Sequence, residues 1–252
     1  MLPRSYVVPG EGTSPKFGRA FARGCGGQVT PSAQLLPGPI ALFGSPKRWA
    51  LLQQAIAEGR DWYYGDHAFF GRGEFYRITK NAYQHDGSGN AGPERFDRFG
   101  RVVQPWRRSG SHVLVCPNSA TYFGLFGLNV ERWIGDVRRT LSAHTDREIR
   151  VRWKRDETPI AADLVDAWAV VAFSSVAALD ALIAGVPVFV LAPFAAALRM
   201  GLSDLTRIES PVYPDGREPF LWNLAAQQWT LDEIAAGDAW RALQKEPCCA
   251  AA

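Results

Sequence analysis

The stretch WAVVAFSSVAALDALIAGVPVFVLAP, residues 168–193, restricts the possible folds more than any other part of the chain. Its ends are two apolar runs, Trp168–Phe173 and Val186–Leu191, and each has the length and the flanking turn residues of a buried parallel strand. The residues between them predict a Ser-Ser turn, a short apolar helix and a Gly-Val-Pro turn. A strand, a helix and a strand in this order form one βαβ unit with a right-handed crossover. The stretch therefore predicts an α/β fold built on a parallel sheet.

Two serines and an aspartate make this unit a candidate ligand site. Ser174 and Ser175 follow the first strand, and open α/β sheets bind their ligands at the carboxyl ends of the strands. The amides and the dipole at the start of the next helix favour an anion there, such as a phosphate. Asp180 on that helix could orient a loop or accept a hydrogen bond from a ligand hydroxyl. The alternative is structural: Ser174 caps the helix, and Asp180 is a solvated helix residue.

Strands and helices alternate along most of the chain. The predicted strands outside the opening unit lie at 40–43, 61–64, 75–83, 112–116 and 148–153, and the predicted helices lie at 46–59, 129–143, 219–228 and 231–244. Ser45 is the expected cap of the first of these helices, and Thr230 with Glu233 forms a capping box before the last.

This alternation predicts an α/β protein with two Rossmann-like halves that face a cleft. A single doubly wound sheet is the alternative. The predicted parts are an extended basic arm at 1–38, a first half at 39–108, and a second half with the carboxyl-terminal helices at 109–252.

The composition is that of an ordinary globular protein without a signal for a metal ion or a membrane. Of the 252 residues, 47% are hydrophobic and 21% are charged, which suffices for a large core. No apolar run reaches the length of a membrane span, and the first residues lack a signal-peptide pattern. Cys25, Cys116, Cys248 and Cys249 do not have metal-ligand spacing. We therefore expect no metal site, no disulfide and a reducing compartment, the cytoplasm.

Two groups of basic residues indicate either solvated loops or a surface for a polyanion. The formal net charge is only +3, so the distribution of charge matters more than its sum. Phosphates of a nucleic acid would bind to such groups. The first group is Arg4, Lys16, Arg19 and Arg23, and the second is Arg95, Arg98, Arg101, Arg107 and Arg108.

Asp66 and His67 are the candidate catalytic residues. They come directly after the predicted strand at 61–64, at the edge of the sheet where ligands are expected. A carboxylate or an imidazole at this place could act as a general base that removes a proton from an acceptor hydroxyl. The structural alternative is that Asp66 caps a turn and that His67 is a hydrogen-bonding partner in the fold.

Basic side chains near these positions could clamp a phosphate or a carboxylate, because the guanidinium fork matches both groups. In the predicted strand at 148–153 the basic residues alternate with apolar ones, so they should point to one side. His144 precedes that strand and is expected to line the same site. A solvent-facing sheet edge is the alternative. The residues concerned are Arg72, Arg77 and Lys80 on the acceptor side, and Arg147, Arg150, Arg152 and Lys154 on the donor side.

A loop after the second strand of the opening unit completes the candidate donor site. It contains Gly201 and Asp204, and it could contact the ligand or cap a short helix at Ser203. The dinucleotide fingerprint, the Walker lysine motif and zinc-spaced Cys and His residues are all absent from the sequence. Their absence weighs against a Rossmann dehydrogenase, a P-loop enzyme and a zinc deaminase. An Asp-x-Asp motif for a metal-bound nucleotide sugar is absent as well.

The segment FSSVAALDALIAGVPVFVLAPFAAALRMGLSD resembles the donor-binding region of GT-B glycosyltransferases, and in particular that of capsule-polysaccharide Kdo transferases. The pattern of that family is roughly Ser-Ser/Thr, Gly-x-(Asp/Glu)-Ala, Gly-x-Pro-Val and Gly-Leu-Thr-Asp. The segment GDHAFFGR is similar to a second segment of these enzymes, and this similarity implies an active-site role for Asp66. The residues that match the donor pattern are Ser174, Ser175, Asp180, Ala181, Gly185, Pro187, Val188, Gly201, Leu202 and Asp204.

The resemblance implies a metal-independent glycosyltransferase that uses a nucleotide sugar as co-substrate and needs no other cofactor. Residues 144–240 also resemble proteins encoded by tailed phages. A phage origin would make hydroxymethylated DNA bases a candidate acceptor, beside a glycan, and would place the protein in the bacterial cytoplasm. The alternatives are a non-catalytic nucleotide- or DNA-binding module of the same fold, and an epimerase or hydrolase of nucleotide sugars.

Overall fold

A computed structural model describes residues 1–44, 46–154, 156 and 158–245 of the chain. The chain forms two compact units. The first unit contains residues 1–85 and 224–252, and the second contains residues 86–223. The predicted cap Ser45 and the cysteines Cys248 and Cys249 lie outside the described residues.

The first unit is built on a six-stranded sheet with the strand order β10-β5-β4-β3-β1-β2. Strands β1 to β4 are parallel, whereas β5 and β10 are antiparallel to their neighbours. The strands are β1 (Arg4–Tyr6), β2 (Gln28–Thr30), β3 (Ile40–Phe43), β4 (Trp62–His67), β5 (Phe75–Lys80) and β10 (Gln228–Thr230).

Helices cover both faces of this sheet. One face packs against α1 and the carboxyl-terminal helices through a core that contains Phe17, Phe21, Tyr63 and Leu243. Side chains alternate along a strand, so Tyr64 points to the other face, where its ring contacts Trp49 of α2. The helices are α1 (Thr13–Cys25), α2 (Trp49–Ala57), α9 (Leu231–Ala235) and α10 (Asp238–Lys245), and a short 3-10 helix (Pro46–Arg48) precedes α2.

The predicted extended arm at 1–38 is wrong. It contains β1, α1 and β2, and β1 lies inside the sheet between β3 and β2. The Gly, Pro and Arg content of this segment suggested a loop, but the segment contains an amphipathic helix that buries Phe17, Phe21 and Cys25. Lys16, Arg19 and Arg23 of the basic group are exposed side chains of this helix rather than parts of a tail.

The predicted division of the chain is wrong in two further places. The boundary falls after residue 85 rather than near 108, and the carboxyl-terminal segment belongs to the first unit. The segment joins that unit because β10 pairs with β5 and because α9 packs against α1. The capping box of Thr230 and Glu233 at the start of α9 is confirmed, while Gly237 interrupts the single helix predicted at 231–244.

The second unit is built on a four-stranded, fully parallel sheet with the order β7-β6-β8-β9. The βαβ unit predicted from residues 168–193 is present as β8, α7 and β9. The strands are β6 (His112–Cys116), β7 (Glu148–Val151), β8 (Ala167–Ala172) and β9 (Val188–Val190).

Helices cover both faces of this sheet as well. Helix α5 packs against the face of Val113, Val115 and Val171. Helix α7 packs against β8 and β9, and α6 contacts α7. The helices are α3 (Glu94–Asp97), α4 (Ala120–Leu125), α5 (Val130–Ser142), α6 (Ile160–Asp163), α7 (Ala177–Ile183) and α8 (Arg217–Ala226), with 3-10 helices at Ala196–Met200 and Leu205–Arg207. None of the described helices is both long enough and apolar enough to cross a membrane.

Gly185 shows why the turn before β9 requires a glycine. Its φ is +76°, a conformation that residues with a Cβ atom rarely adopt. A Cβ atom there would also collide with the Pro105 carbonyl oxygen. The amide of Arg107 donates to the Gly185 carbonyl at 2.8 Å, so the segment before β6 is held against this turn.

The contact between Gly65 and Phe17 gives a first prediction. Gly65 lies in β4, and a Cβ atom there would overlap the ring of Phe17 on α1. We expect Gly65→Ala to lower the free energy of unfolding by about 1–3 kcal/mol, because the aromatic core must shift. The measurement is a urea titration followed by circular dichroism.

Gly135→Ala is the matched control. Gly135 is an exposed residue of α5, and nothing lies within 4 Å of the position of its Cβ atom. This replacement should leave stability unchanged or raise it by up to about 1 kcal/mol, because alanine favours the helix. Equal effects of the two substitutions would contradict the proposed overlap.

Candidate functional site

The carboxyl edge of the parallel sheet in the second unit carries most of the predicted donor site. Strands β6, β8 and β9 are neighbours, so the loops that follow them meet at this edge. The loop after β6 supplies Asn118, helix α4 supplies Tyr122, and the loop after β8 supplies Ser174 and Ser175. Within the described parts of the chain, three or more His, Cys, Asp or Glu side chains nowhere come together as a potential metal site.

Ser174 is held by groups from the loop after β6. Its amide donates to the side-chain oxygen of Asn118 at 3.1 Å, and its hydroxyl lies 3.2 Å from the hydroxyl of Tyr122. Ser174 is also buried. Ser174 therefore fixes the turn through Asn118 and Tyr122, and it is not the cap of α7 that the structural alternative predicted.

Ser175 is half-buried and more open to a ligand. Its Oγ accepts a hydrogen bond from the amide of Ala177 at 3.3 Å. A hydroxyl that accepts one bond can still donate its own proton, so Ser175 can donate to a ligand oxygen. Among the described hydrogen bonds, none uses the amides of Ser175 and Val176. These three donors are the part of the predicted phosphate site that the turn leaves available.

Helix α7, which follows the Ser174–Ser175 turn, contributes less to the predicted phosphate site than expected. Helix α7 has only seven residues, and its N-cap residue, Val176, provides no side-chain cap. A helix of two turns has a weak dipole, and the first-turn amide of Ala177 is already bonded to Ser175. The predicted contribution of the helix dipole is therefore small here.

Asp180 and Arg152 belong to one group of paired charges. Asp180 forms an ion pair with Arg101, and Arg152 forms one with Asp163. Burial raises the pKa of the Asp180 carboxyl above its ordinary value of 3.8, while Arg101 and Arg152 act in the opposite direction. The predicted cationic clamp is thus largely neutralised, because Arg152 is only 12% exposed and its charge is shared with Asp163.

The predicted basic row is longer than the strand that carries it. Strand β7 ends at Val151, so it is shorter than the predicted strand at 148–153. Arg150 is exposed and pairs with Glu148, and Lys154 is exposed beyond the end of the strand. Of Arg150, Arg152 and Lys154, only Arg150 lies within β7.

Gly201 and Asp204 have structural roles in the second unit. The backbone of Leu202 bonds to β9 as a short additional strand, and a side chain at Gly201 would collide with the Val188 carbonyl. The Asp204 carboxylate accepts hydrogen bonds from the hydroxyl and amide of Thr206, which lower its pKa. Asp204 therefore caps the 3-10 helix that follows. A cap was one of the two predicted alternatives, but it was expected at Ser203.

His144 lies at the opposite edge of the same sheet. It precedes β7, and it lines an open groove of about 670 Å³ with Ser111, Arg147 and Glu209. Arg147 makes two hydrogen bonds to Glu209, of 2.9 and 3.0 Å, and stacks on the ring of Trp168. Parallel strands separate this amino edge from the carboxyl edge, so His144 is not brought together with Ser175.

Asp66 and His67 lie in the first unit, inside β4 rather than beyond it. Successive side chains of a strand point to opposite faces, so the two do not form a catalytic pair. The ring of His67 packs edge-on against Phe43, on the face that α1 covers. Asp66 lies on the other face, 27% exposed, and its Oδ1 accepts from the His67 amide at 2.7 Å.

Arg77 organises the surroundings of Asp66. Its guanidinium lies 2.5 Å from Asp66 Oδ2 and donates to the carbonyls of His67 and Tyr83 at 3.2 and 2.6 Å. The group also lies over the ring of Phe69. Arg77 is buried, so it acts inside the protein and is not a free acceptor-binding cation.

The other predicted acceptor-side cations differ from Arg77. Lys80 forms an ion pair with Asp61 at 3.1 Å. Arg72 is an exposed residue of the turn between β4 and β5. The structure therefore brings Asp66 and Arg77 together, but neither Arg72 nor Lys80 contacts them through a described ion pair or hydrogen bond.

Gln228 is a site residue that the sequence did not indicate. It is fully buried in β10, and its side-chain oxygen accepts from the amides of Phe69 and Phe70 at 2.5 and 3.0 Å. It thereby fixes the loop that follows Asp66. A sequence signal was lacking, because the pairing of β10 with β5 joins residues more than 150 positions apart.

The second basic group is largely engaged inside the second unit. Arg101 pairs with Asp180, Arg107 donates to the carbonyls of Leu164 and Val165, and Arg108 lies over the ring of Tyr213. These arginines close turns and helix ends, which explains their clustering without a polyanion. The group gives little support to a nucleic-acid acceptor.

Comparison with known proteins addresses the fold. No protein-family model and no curated protein matches the sequence. Among solved structures, the chain is similar to KpsC of Thermosulfurimonas dismutans, described as a beta Kdo 2,4 transferase, with a TM-score of 0.51 and 10% sequence identity. The match covers 91% of this chain and 92% of that chain. The chain has a Rossmann-like α/β fold of the GT-B type. This confirms the predicted fold class.

The Asp66–Arg77 pair gives a prediction about stability. Removal of one partner from a mostly buried ion pair leaves the other charge uncompensated. We expect Arg77→Met to lower the free energy of unfolding by about 3 kcal/mol, because two carbonyls also lose their donor. Lys80→Met, which breaks an exposed pair on the same strand, should cost less than about 1 kcal/mol. Equal losses in the free energy of unfolding of the two variants, measured by urea titration, would contradict the stabilising role of the Asp66–Arg77 pair.

The raised pKa of Asp180 gives a prediction about pH. The unfolded chain ionises this carboxyl more readily than the folded chain, so Asp180 favours the native state most below pH 3.8, and this advantage is lost as the pH rises through the raised value. The free energy of unfolding of Asp180→Asn, relative to that of the wild type, should therefore rise as the pH is raised from about 3 to about 7. Unfolding free energies at several pH values test this. Parallel curves for the two proteins, or an equal effect of the exposed control Asp146→Asn, would contradict it.

Proposed function

We propose that this protein is a glycosyltransferase that moves a sugar from a nucleotide-activated donor to a hydroxyl group of an acceptor. The observation that carries the proposal is the similarity to a glycosyltransferase fold along 91% of the chain, with both of its units included. The carboxyl edge of the second unit supports it independently. That edge presents a hydroxyl and two amides at the point where such sheets bind phosphates.

On the donor side, we propose that Ser175 and the neighbouring amides bind the phosphate groups. Lys154, an exposed residue that follows β7, would contribute positive charge. Ser174 would act through the position of the turn. Stabilisation of the charge that builds up on the leaving phosphate is commonly the largest electrostatic contribution to such a reaction. The nucleotide sugar is the only co-substrate of the proposal, without a resident metal ion or organic cofactor.

On the acceptor side, we propose Asp66 as the general base. Each of its carboxylate oxygens accepts one hydrogen bond inside the protein, which leaves a lone pair on each for a proton. In the reaction, Asp66 takes the proton of the acceptor hydroxyl, and the acceptor oxygen forms a bond to the anomeric carbon. The bond from that carbon to the nucleotide phosphate breaks, and the phosphate leaves with the electron pair.

We propose a glycan hydroxyl as the acceptor. KpsC is described as a Kdo transferase, which makes Kdo one of the sugars to test. A hydroxymethylated base of phage DNA stays an alternative acceptor. Its support is reduced, because arginines such as Arg101 and Arg107 are engaged within the second unit.

The test incubates the protein with a panel of UDP-, GDP- and CMP-sugars, nucleotide-activated Kdo among them, and measures free nucleotide. Each donor is tested alone, with oligosaccharides and with hydroxymethylated DNA. Release that depends on an acceptor supports transfer and identifies the acceptor class. Release without an acceptor indicates a hydrolase. Binding without release indicates a non-catalytic module, and either result would refute the proposal.

Asp66→Asn tests the proposed base. The amide keeps the size of the side chain but cannot take the proton, so we expect unchanged donor binding and a loss of turnover of about 10²-fold or more. Lys80→Met serves as the control because it removes a charge from the adjacent strand, where Lys80 is paired in register with Tyr63 and not with Asp66. Full activity of the Asn variant would exclude Asp66 as the base.

A further inference from the structure

The amino edge of the sheet in the second unit carries a groove that the proposed function does not use. Its volume is about 670 Å³, within the range of small-molecule sites, and it is lined by residues 111, 142–147 and 209. Ser111 precedes β6, and residues 142–147 lead from α5 into β7, so the groove lies at the edge opposite Ser175. We call it the amino-edge groove.

One wall of the amino-edge groove is fixed by the Arg147 guanidinium. Its Nε and Nη2 donate to the Glu209 carboxylate at 2.9 and 3.0 Å, and its Nη1 donates to the Gly110 carbonyl. The group also lies over the ring of Trp168, 4.0 Å from the centroid. The Thr145 hydroxyl donates to Glu209 as well and accepts from the Arg147 amide at 3.1 Å. Contacts within the protein hold this wall in one geometry, so binding would cost little ordering of its side chains.

The groove still offers hydrogen-bond donors. A guanidinium has five N–H groups, and the contacts of Arg147 within the described part of the chain use three of them. Ser142 is exposed, and its hydroxyl has no partner among the described residues. Two N–H groups and one hydroxyl are therefore left for a ligand.

Two other side chains of the lining provide acceptors. The Nδ1 of His144 lies 2.9 Å from the Thr140 carbonyl oxygen. A carbonyl can only accept, so Nδ1 carries a proton and Nε2 of the neutral ring is an acceptor. The Asp146 carboxylate is exposed and forms neither an ion pair nor a hydrogen bond with the described residues. Its two oxygens can accept from adjacent hydroxyls of one ligand.

The charge and the polarity of the groove decide against three ligand classes. Arg147 is matched by Glu209 and Asp146 adds negative charge, so a phosphate finds no net positive charge. A cation would meet the Arg147 guanidinium beside Asp146, and no three potential metal ligands come together among the described residues. Of the lining residues only Ala143 is apolar, so an apolar ligand would bury little matching area. The groove thus presents donors and acceptors for neutral polar groups.

We propose that the amino-edge groove binds an uncharged, polyhydroxylated ligand, namely a segment of a neutral oligosaccharide. A sugar hydroxyl both donates and accepts, so it matches the N–H groups of Arg147 as well as the carboxylate of Asp146. The groove would be a second carbohydrate site, separate from the donor and acceptor sites proposed above. It does not depend on that function, since neither Ser175 nor Asp66 lines it.

The experiment measures the binding of neutral trisaccharides to the full chain by isothermal titration calorimetry. The probes are maltotriose, cellotriose and mannotriose, and inorganic phosphate and spermidine serve as charged competitors. Asp146→Ala removes the free carboxylate, and His144→Phe keeps a ring but removes Nε2. Asp215→Ala is the matched control, because it removes an exposed carboxylate of the same unit that does not line the groove. Circular dichroism verifies that the variants keep the fold.

We expect at least one trisaccharide to bind the wild type, and Asp146→Ala to bind it about tenfold more weakly, because hydrogen bonds to a charged group are lost. His144→Phe loses a hydrogen bond to a neutral group, so its affinity should fall by a smaller factor of about threefold. Asp215→Ala should bind as the wild type does, and neither phosphate nor spermidine should displace the trisaccharide.

Three results would overturn the inference. The first is that the wild type binds none of the trisaccharides. The second is wild-type affinity in both Asp146→Ala and His144→Phe, which assigns the binding to another place on the protein. The third is displacement by phosphate or spermidine, which identifies the groove as an ion site. Each of these results leaves the proposed function standing, and a failure to detect nucleotide release in the transfer assay leaves the groove standing.

Discussion

The parallel pairing of β6, β8 and β9 decides at which edge of the sheet the groups of the proposed site in the second unit lie. In a parallel sheet all strands run in one direction, so their following loops converge at one edge and their preceding loops at the other. This places Ser174 beside Tyr122, although 52 positions separate the two in the sequence. Because His144 precedes its strand, the same constraint places it at the opposite edge of the sheet. A residue's position before or after its strand therefore matters more than its distance along the chain.

The distribution of charge follows from burial rather than from ligand binding. A guanidinium or carboxylate that leaves water must find a partner, since an unpaired buried charge is expensive. Arg77 and Arg152 meet this requirement with Asp66 and Asp163. Arg101 does the same with Asp180 at a more exposed position. The arginines that look like an anion surface in the sequence therefore hold loops and helix ends in place.

The elements that the sequence predicted well share a local signal. Residues 168–193 became β8, α7 and β9 because apolar runs of strand length, bounded by turn residues, leave few alternatives. Likewise, the capping box at Thr230 depends on residues three positions apart. The segment 1–38 was predicted wrongly because its Gly and Pro content suggested a loop, while the burial of Phe17 and Phe21 depends on contacts with Tyr63 and Leu243 from distant parts of the chain.

By itself, the sequence determined the α/β class and the βαβ unit with Ser175 at its first turn, because these depend on periodicity and on turn residues that lie close together. The resemblance of residues 173–204 to a known family indicated the GT-B type of fold. Only the tertiary structure decided which side chains meet. It separated Asp66 from His67, since neighbours in a strand point to opposite faces. It also joined Gln228 to the loop after Asp66, and Arg147 to Glu209. Contacts of this kind depend on strand order and on the alternation of faces, which local sequence patterns do not encode.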